Sequence, residues 1–138
     1  MLDYGCGSGI LAIAALKLGA GHAVGIDIDP QAVAASRNNA LRNQLDQMKA
    51  EFYTAHTAPQ VAPATAAWAD VVVANILANP LIVLAPLLMS MTRKGGYIAL
   101  SGILRDQVEE VERIYRQWFE MRIAGEQEGW VLLTGTRK

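Results

Sequence analysis

Three glycines at alternate positions, Gly5, Gly7 and Gly9, follow the short run Leu2-Asp3-Tyr4 and lead straight into an alanine-rich stretch, Ile10 to Leu18 (ILAIAALKL). Alternate glycines let a backbone turn sharply and remove the Cβ atoms that hold a ligand away. The helix start behind such a turn directs free N–H groups outward. A second apolar run, Ala23-Val24-Gly25-Ile26, ends in Asp27, twenty-two positions after Gly5. A carboxylate at the end of the second strand of such a unit accepts hydrogen bonds from ribose hydroxyls. Together these residues predict a site for a nucleoside-type cofactor. Another polar group, Asn75, closes the Val-rich run from Val71 to Ala74. A continuous run of that kind predicts a strand buried on both faces, which sets Asn75 at the edge where ligands bind in open α/β sheets.

The elements that must position these groups alternate between strand-like and helix-like segments, as in a mainly parallel sheet covered by helices on both faces. After the first helix, Gly19-Ala20-Gly21 is a stop signal, and a strand over about 23–27 follows. Asp29 is a good N-cap with Pro30 at the first helical position. Ala32, Val33, Ala35, Ser36, Ala40 and Leu41 then form a small-residue face of a helix reaching about Asn43. A third strand falls near 49–53, and the Ala-, Pro- and Thr-rich residues 54–68 read as a loop on the rim of the site. Asn79-Pro80 opens a helix with Leu81, Leu84, Leu87, Leu88 and Met91 toward a core, and Lys94-Gly95-Gly96 closes it. A strand over 97–101, a turn over 102–104 and an amphipathic helix over 105–118 follow, and the candidates at 119–124 and 130–136 make a C-terminal hairpin. The first strand is short for its role, which predicts that upstream sequence is missing.

Composition sets the outer limits. The chain has 138 residues, 52% of them hydrophobic, enough for one domain with a real core. Twelve basic against thirteen acidic residues leave a net charge of −1, so no global field holds nucleic acid. The single cysteine excludes an internal disulfide framework, no apolar run is long enough for a membrane span, and no signal-like block follows Met1; a cytoplasmic protein is expected. Cys6 reads as a packing residue, His22 and His56 as surface residues without metal-ligand spacing, Trp118 and Trp130 as packing of the late helix and hairpin, and Trp68 as core or as a cover for an adenine.

The blocks GCGSGILAIAALKLGA, GIDIDPQAV, VVVANILANPL, LSGIL and EGWVLLTGTRK resemble the S-adenosylmethionine-dependent methyltransferases of the doubly wound fold. More narrowly, they resemble the catalytic domain of the ribosomal protein L11 methyltransferase family. The resemblance implies a Rossmann-like α/β fold, a mainly parallel seven-stranded sheet ending in an antiparallel hairpin. It implies S-adenosyl-L-methionine as cofactor, held by Asp3, Gly5, Gly7, Gly9, Asp27, Ile28 and Asn75, with Asn75 as the catalytic residue and no metal. Asp27 would meet the ribose, and Asp3 would face the cofactor ammonium or cap local backbone. The implied substrate is ribosomal protein L11, methylated on lysine and α-amino nitrogens by a monomeric enzyme without direct nucleic-acid or membrane contacts. That family's N-terminal substrate-recognition domain has no counterpart in this sequence, so the chain is expected to be a catalytic-domain fragment. From the residues alone, three readings stay open beside this one: a nicotinamide-dependent oxidoreductase, a methyltransferase of the same fold acting on another protein or a small molecule, and a non-catalytic cofactor-binding remnant. Against the oxidoreductase, a Gly-x-Gly-x-x-Gly pattern needs its third glycine at position 10, which is Ile10.

Overall fold

The computed structural model describes residues 1–58 and 67–138, in two compact units, Met1–Thr65 and Ala66–Lys138. In the first unit β1 (Leu2–Tyr4), β2 (Ala23–Asp27) and β3 (Ala50–Thr54) run parallel in the order β3-β2-β1, with α1 (Ile10–Lys17) and α2 (Pro30–Arg42) as the connecting helices. Parallel neighbours need such crossovers, and the right residues stop and start them. Helix α1 ends where Gly19 takes φ +106° and the amides of Gly19 and Ala20 fold back on the carbonyls of Leu16 and Ala15. Helix α2 starts where the Asp29 carboxylate accepts the Gln31 amide at 2.9 Å, with Pro30 next in line. Cys6, Ala12, Ile13, Val33, Ala40, Ala50 and Phe52 form the core of this unit. Gly25 belongs to it by having no side chain, because a Cβ there would overlap the Phe52 ring.

In the second unit β4 (Ala69–Asn75) and β5 (Thr92–Leu104) are parallel, joined through α3 (Ala78–Met91). A single 3-10 turn, Arg105–Gln107, leads into α4 (Val108–Tyr115), and the antiparallel β6 (Phe119–Gln127) and β7 (Trp130–Arg137) complete the order β4-β5-β7-β6. The core gathers Leu81, Ala85 and Leu88 of α3 with Val108, Val111 and Tyr115 of α4 and Ile98, Leu100 and Leu133 of the strands. The Tyr115 hydroxyl donates to the Leu81 carbonyl at 2.8 Å, tying the two helices together.

Several expectations are corrected. Helix α3 closes at Met91, not at Lys94-Gly95-Gly96: the buried Thr92 hydroxyl donates to the Leu88 carbonyl at 2.8 Å and the chain turns directly into β5. Leu87 faces outward, since the helix turns Ala78, Leu81, Ala85 and Leu88 inward. Residues 102–104 are strand, not turn. Gly102 at φ +84° carries β5 through an irregularity and lets it pair onward with Val131 and Trp130. The late helix is shorter than 105–118, and Trp118 lies beyond its end. The Val-rich run is only half-buried at Val71 and Val73. Of the expected loop over 54–68, residues 59–66 lie outside the described residues.

Candidate functional site

The first unit brings six of the predicted site residues together. Gly5, Gly7 and Gly9 all have positive φ (78°, 54° and 80°), the left-handed region that favours glycine. Gly9 also caps α1, and a Cβ on it would sit 2.9 Å from the Ser36 hydroxyl and 3.2 Å from the Phe52 ring. Four amides of the loop are spent on its own chain: Gly5 and Cys6 donate to the Ile26 carbonyl (2.7 and 3.0 Å), Gly9 to the Cys6 carbonyl (2.8 Å) and Gly7 to Asp27 Oδ2 (2.9 Å). A phosphate-binding turn keeps such N–H groups for its ligand. This one uses them on its own chain, and what it offers a ligand is close approach to a bare backbone.

Asp27, at the C-terminal end of β2, bridges the loop and the next turn: Oδ2 accepts the Gly7 amide and Oδ1 the Asp29 amide at 3.0 Å. A carboxylate oxygen has a second lone pair, so both remain able to accept from hydroxyls of a ligand. Ile28 next to it is an apolar side chain that is 76% exposed. Asp3 is 1% exposed, and its Oδ2 accepts the Ala12 amide in the first turn of α1 at 3.2 Å. Burial pushes its carboxyl up to about 6; the Ala12 amide works against that rise and the nearby charge of Asp27 adds to it. Burial likewise pushes the Cys6 thiol up to about 11, which keeps it neutral and fits the packing role.

Two residues of the site escaped the sequence reading. Ser36, fully buried, donates from Oγ to the Gly7 carbonyl at 2.8 Å, and Asn39 donates from Nδ2 to the Ser8 carbonyl at 2.9 Å. Their i, i+3 spacing places both on the face of α2 turned to the loop. The signal was a pair of hydrogen-bonding side chains interrupting an alanine-rich face, and Ser36 was counted there only for its size.

Asn75 lies in the second unit. It ends β4 opposite Ser101 of β5, and with Ile76, Leu77, Ser101, Gly102 and Trp130 it lines a cavity of about 370 Å³. Gly102 is obligatory there, because a Cβ would overlap the Ile76 carbonyl oxygen. Trp130, expected to be packed away, is 46% exposed and presents its ring to this cavity. His22 is a partly exposed residue, as expected, but not a solitary one: Nε2 lies 2.5 Å from Glu51 Oε2, while Glu51 Oε1 accepts the Tyr53 hydroxyl at 2.6 Å. The Tyr53 hydrogen bond first, and His22 second, lower the Glu51 carboxyl. Among the described residues no group of three or more His, Cys, Asp or Glu could hold a metal ion, and no helix is long and apolar enough to cross a membrane.

The family model described as ribosomal protein L11 methyltransferase matches residues 1–138. Curated relatives named ribosomal protein L11 methyltransferase include those of Nitrosomonas europaea, 55% identical over 99% of this chain and 45% of the relative, and Chromobacterium violaceum, 58% identical over 100% and 43%. The chain thus spans less than half the length of these relatives. Among solved structures, the ribosomal protein L11 methylase of Lactobacillus delbrueckii subsp. bulgaricus matches with a TM-score of 0.87 and 33% identity over 99% of this chain and 69% of that one. An RNA methyltransferase from Salinibacter ruber in complex with S-adenosyl-L-homocysteine matches in fold, with a TM-score of 0.73 and 24% identity over 99% of this chain and 78% of that one. The α/β architecture with seven strands and an antiparallel C-terminal hairpin is therefore the Rossmann-like methyltransferase fold.

Proposed function

The chain belongs to the ribosomal protein L11 methyltransferase family, and from that premise we propose that it is the cofactor-binding and catalytic part of an enzyme that methylates lysine and α-amino nitrogens of ribosomal protein L11 with S-adenosyl-L-methionine, in the cytoplasm. The observation that carries this reading is the glycine loop whose amides are turned onto its own chain beside the half-open carboxylate of Asp27. A dinucleotide brings phosphates that need free N–H groups, whereas S-adenosylmethionine brings a ribose, a sulfonium and an ammonium and no phosphate. That difference favours the methyl donor over the nicotinamide cofactor.

In this reading Gly5, Gly7 and Gly9 admit the cofactor against bare backbone, Asp27 accepts from its ribose hydroxyls, and Ile28 covers the adenine. Asp3 is a carboxylate raised by burial, and a cationic ammonium is the partner that best compensates such a group. The cofactor supplies an electrophilic methyl on a sulfonium, which an amine takes by in-line displacement as a neutral thioether leaves. Asn75 accepts a hydrogen bond from the amine through Oδ1 and aims its lone pair, without the full charge that would hold an ammonium in place. The indole of Trp130 and the side chain of Leu77 flank the aliphatic part of the acceptor and exclude water. Exclusion of water favours the neutral form of an amine whose ordinary pKa is about 10.4. Alignment of this kind lowers the barrier by several kcal/mol, on the order of 7 when complete.

Isothermal titration with S-adenosylhomocysteine, beside NADH and repeated with Asp27→Ala, tests the cofactor assignment. Binding of the first alone, lost in the variant, is the expected result; binding of NADH alone overturns it. Transfer of labelled methyl to L11 tests the acceptor.

A further inference from the structure

We infer that Ser36 and Asn39 of α2 are positioning residues for the cofactor, a clamp on the carbonyl side of the glycine loop that sets how well the loop binds its ligand. The inference rests on the cofactor assignment above and adds residues from an element that does not itself carry the loop or the ribose carboxylate.

The glycines that open the loop to a ligand also leave it with little reason to hold one shape, since glycine populates positive and negative φ almost equally. Something outside the loop must select the conformation. Gly7 is held through both of its peptide groups: its N–H donates to Asp27 at 2.9 Å and its C=O accepts from Ser36 at 2.8 Å. The next carbonyl, that of Ser8, accepts from Asn39 at 2.9 Å. Ser36 is fully buried and its hydroxyl lies against Gly9, so close that a Cβ on Gly9 would meet it at 2.9 Å. It also lies 3.6 Å from the Cys6 thiol. One helix face thus reaches the loop at Cys6, Gly7, Ser8 and Gly9.

The same helix is tied to the ribose acceptor. Asp29, its N-cap, donates its own amide to Asp27 Oδ1 at 3.0 Å. Loop, carboxylate and helix therefore form one hydrogen-bonded ring: Asp27 to Gly7, Gly7 to Ser36, Ser36 along α2 to Asp29, and Asp29 back to Asp27. A ring closed in this way fixes the distance between the bare backbone and the carboxylate before any ligand arrives. Preorganisation of that kind raises affinity by removing an ordering cost at the moment of binding.

The test compares Ser36→Ala, Asn39→Ala and Asn39→Asp with Val33→Ala, a core truncation on the same helix that breaks no bond to the loop. Two quantities are measured where all variants are folded: the Kd for S-adenosylhomocysteine by titration, and the hydrogen-exchange rate of the Gly7 amide in the free protein. Loss of one such hydrogen bond is expected to weaken binding about fivefold and the double alanine variant about twenty-five-fold. Asn39→Asp, which keeps the shape but sets an acceptor against an acceptor, weakens binding at least as much as Asn39→Ala. Gly7 exchange speeds up in each, while Val33→Ala lowers the melting temperature and leaves both readouts unchanged. Unchanged Kd and Gly7 exchange in Ser36→Ala and Asn39→Ala overturn the inference. So does an equal loss of affinity in Val33→Ala, because the effect is then general softening of the fold. If the parent chain binds no S-adenosylhomocysteine, the cofactor assignment itself falls, and unchanged Gly7 exchange in the free variants separately decides against the clamp.

Discussion

Replacing Asp3 by asparagine is expected to make the protein more stable and a poorer cofactor binder at the same time. Asp3 is 1% exposed, and burial raises its carboxyl from 3.8 to about 6. At 1.36 kcal/mol for each tenfold change, that rise corresponds to about 3 kcal/mol of preference for the protonated form in the folded state. The sign follows from linkage. Below 3.8 both states hold the proton and the group contributes nothing. As pH rises from about 4 to about 6, the unfolded chain releases its proton more readily than the folded one, so stability falls, and above about 6 the full cost remains. Asparagine has the same shape, stays neutral and still offers an oxygen to the Ala12 amide that Asp3 accepts at 3.2 Å. Its NH₂ must find a partner, which offsets about 1–2 kcal/mol. The expected net effect of Asp3→Asn is therefore a gain of about 1–2 kcal/mol at pH 8 and no gain, or a small loss, at pH 4, read from urea unfolding followed by circular dichroism at both pH values. A variant less stable than the parent by the same amount at both would refute the buried-charge argument. Titration with S-adenosylhomocysteine completes the test: if the carboxylate serves the cofactor ammonium, the more stable variant binds more weakly.

Asn75→Ala is expected to leave the melting temperature within a few degrees of the parent and to remove most methyl transfer in the protein that carries out turnover; an unchanged rate would remove the amide from the mechanism. Trp130→Ala should raise KM for the amine acceptor more than it lowers kcat, with the Kd for S-adenosylhomocysteine unchanged, and Trp130→Phe should recover most of the loss. Gly102→Ala should cost about 2 kcal/mol or more in chemical unfolding, because φ +84° is strained for alanine and its Cβ would overlap the Ile76 carbonyl. A destabilisation below about 0.5 kcal/mol would mean that β5 relaxes freely there.

The parts of the molecule legible in the sequence were those governed by local chemistry. Asp29-Pro30 announces the start of α2, Gly19 the end of α1, and the two are found where capping rules put them. The C-terminal hairpin was visible from two strand candidates close together in the sequence. What was not legible depended on side-chain bonds and close approaches that residue type alone does not announce. Thr92 stops α3 with a side-chain bond that resembles nothing in the Lys-Gly-Gly that follows it. Gly102 looked like a turn glycine because its purpose, clearance from the Ile76 backbone, lies twenty-six residues earlier, just past the end of β4. Ser36 and Asn39 act through carbonyls about thirty residues earlier, and the direction of the loop amides was set by Ile26 and Asp27, so a glycine pattern alone could not give it.

The strand order β4-β5-β7-β6 has a consequence for how the second unit comes into being. The last strand of the chain, Trp130–Arg137, sits between two that precede it, bonding to β5 on one side and β6 on the other. During synthesis β5 and β6 emerge first and are not neighbours of each other; the edges they later give to β7 wait, open, until that strand emerges. Folding of this half thus waits on the emergence of β7, and the interval before it is when those open edges are most able to pair with a neighbouring nascent chain.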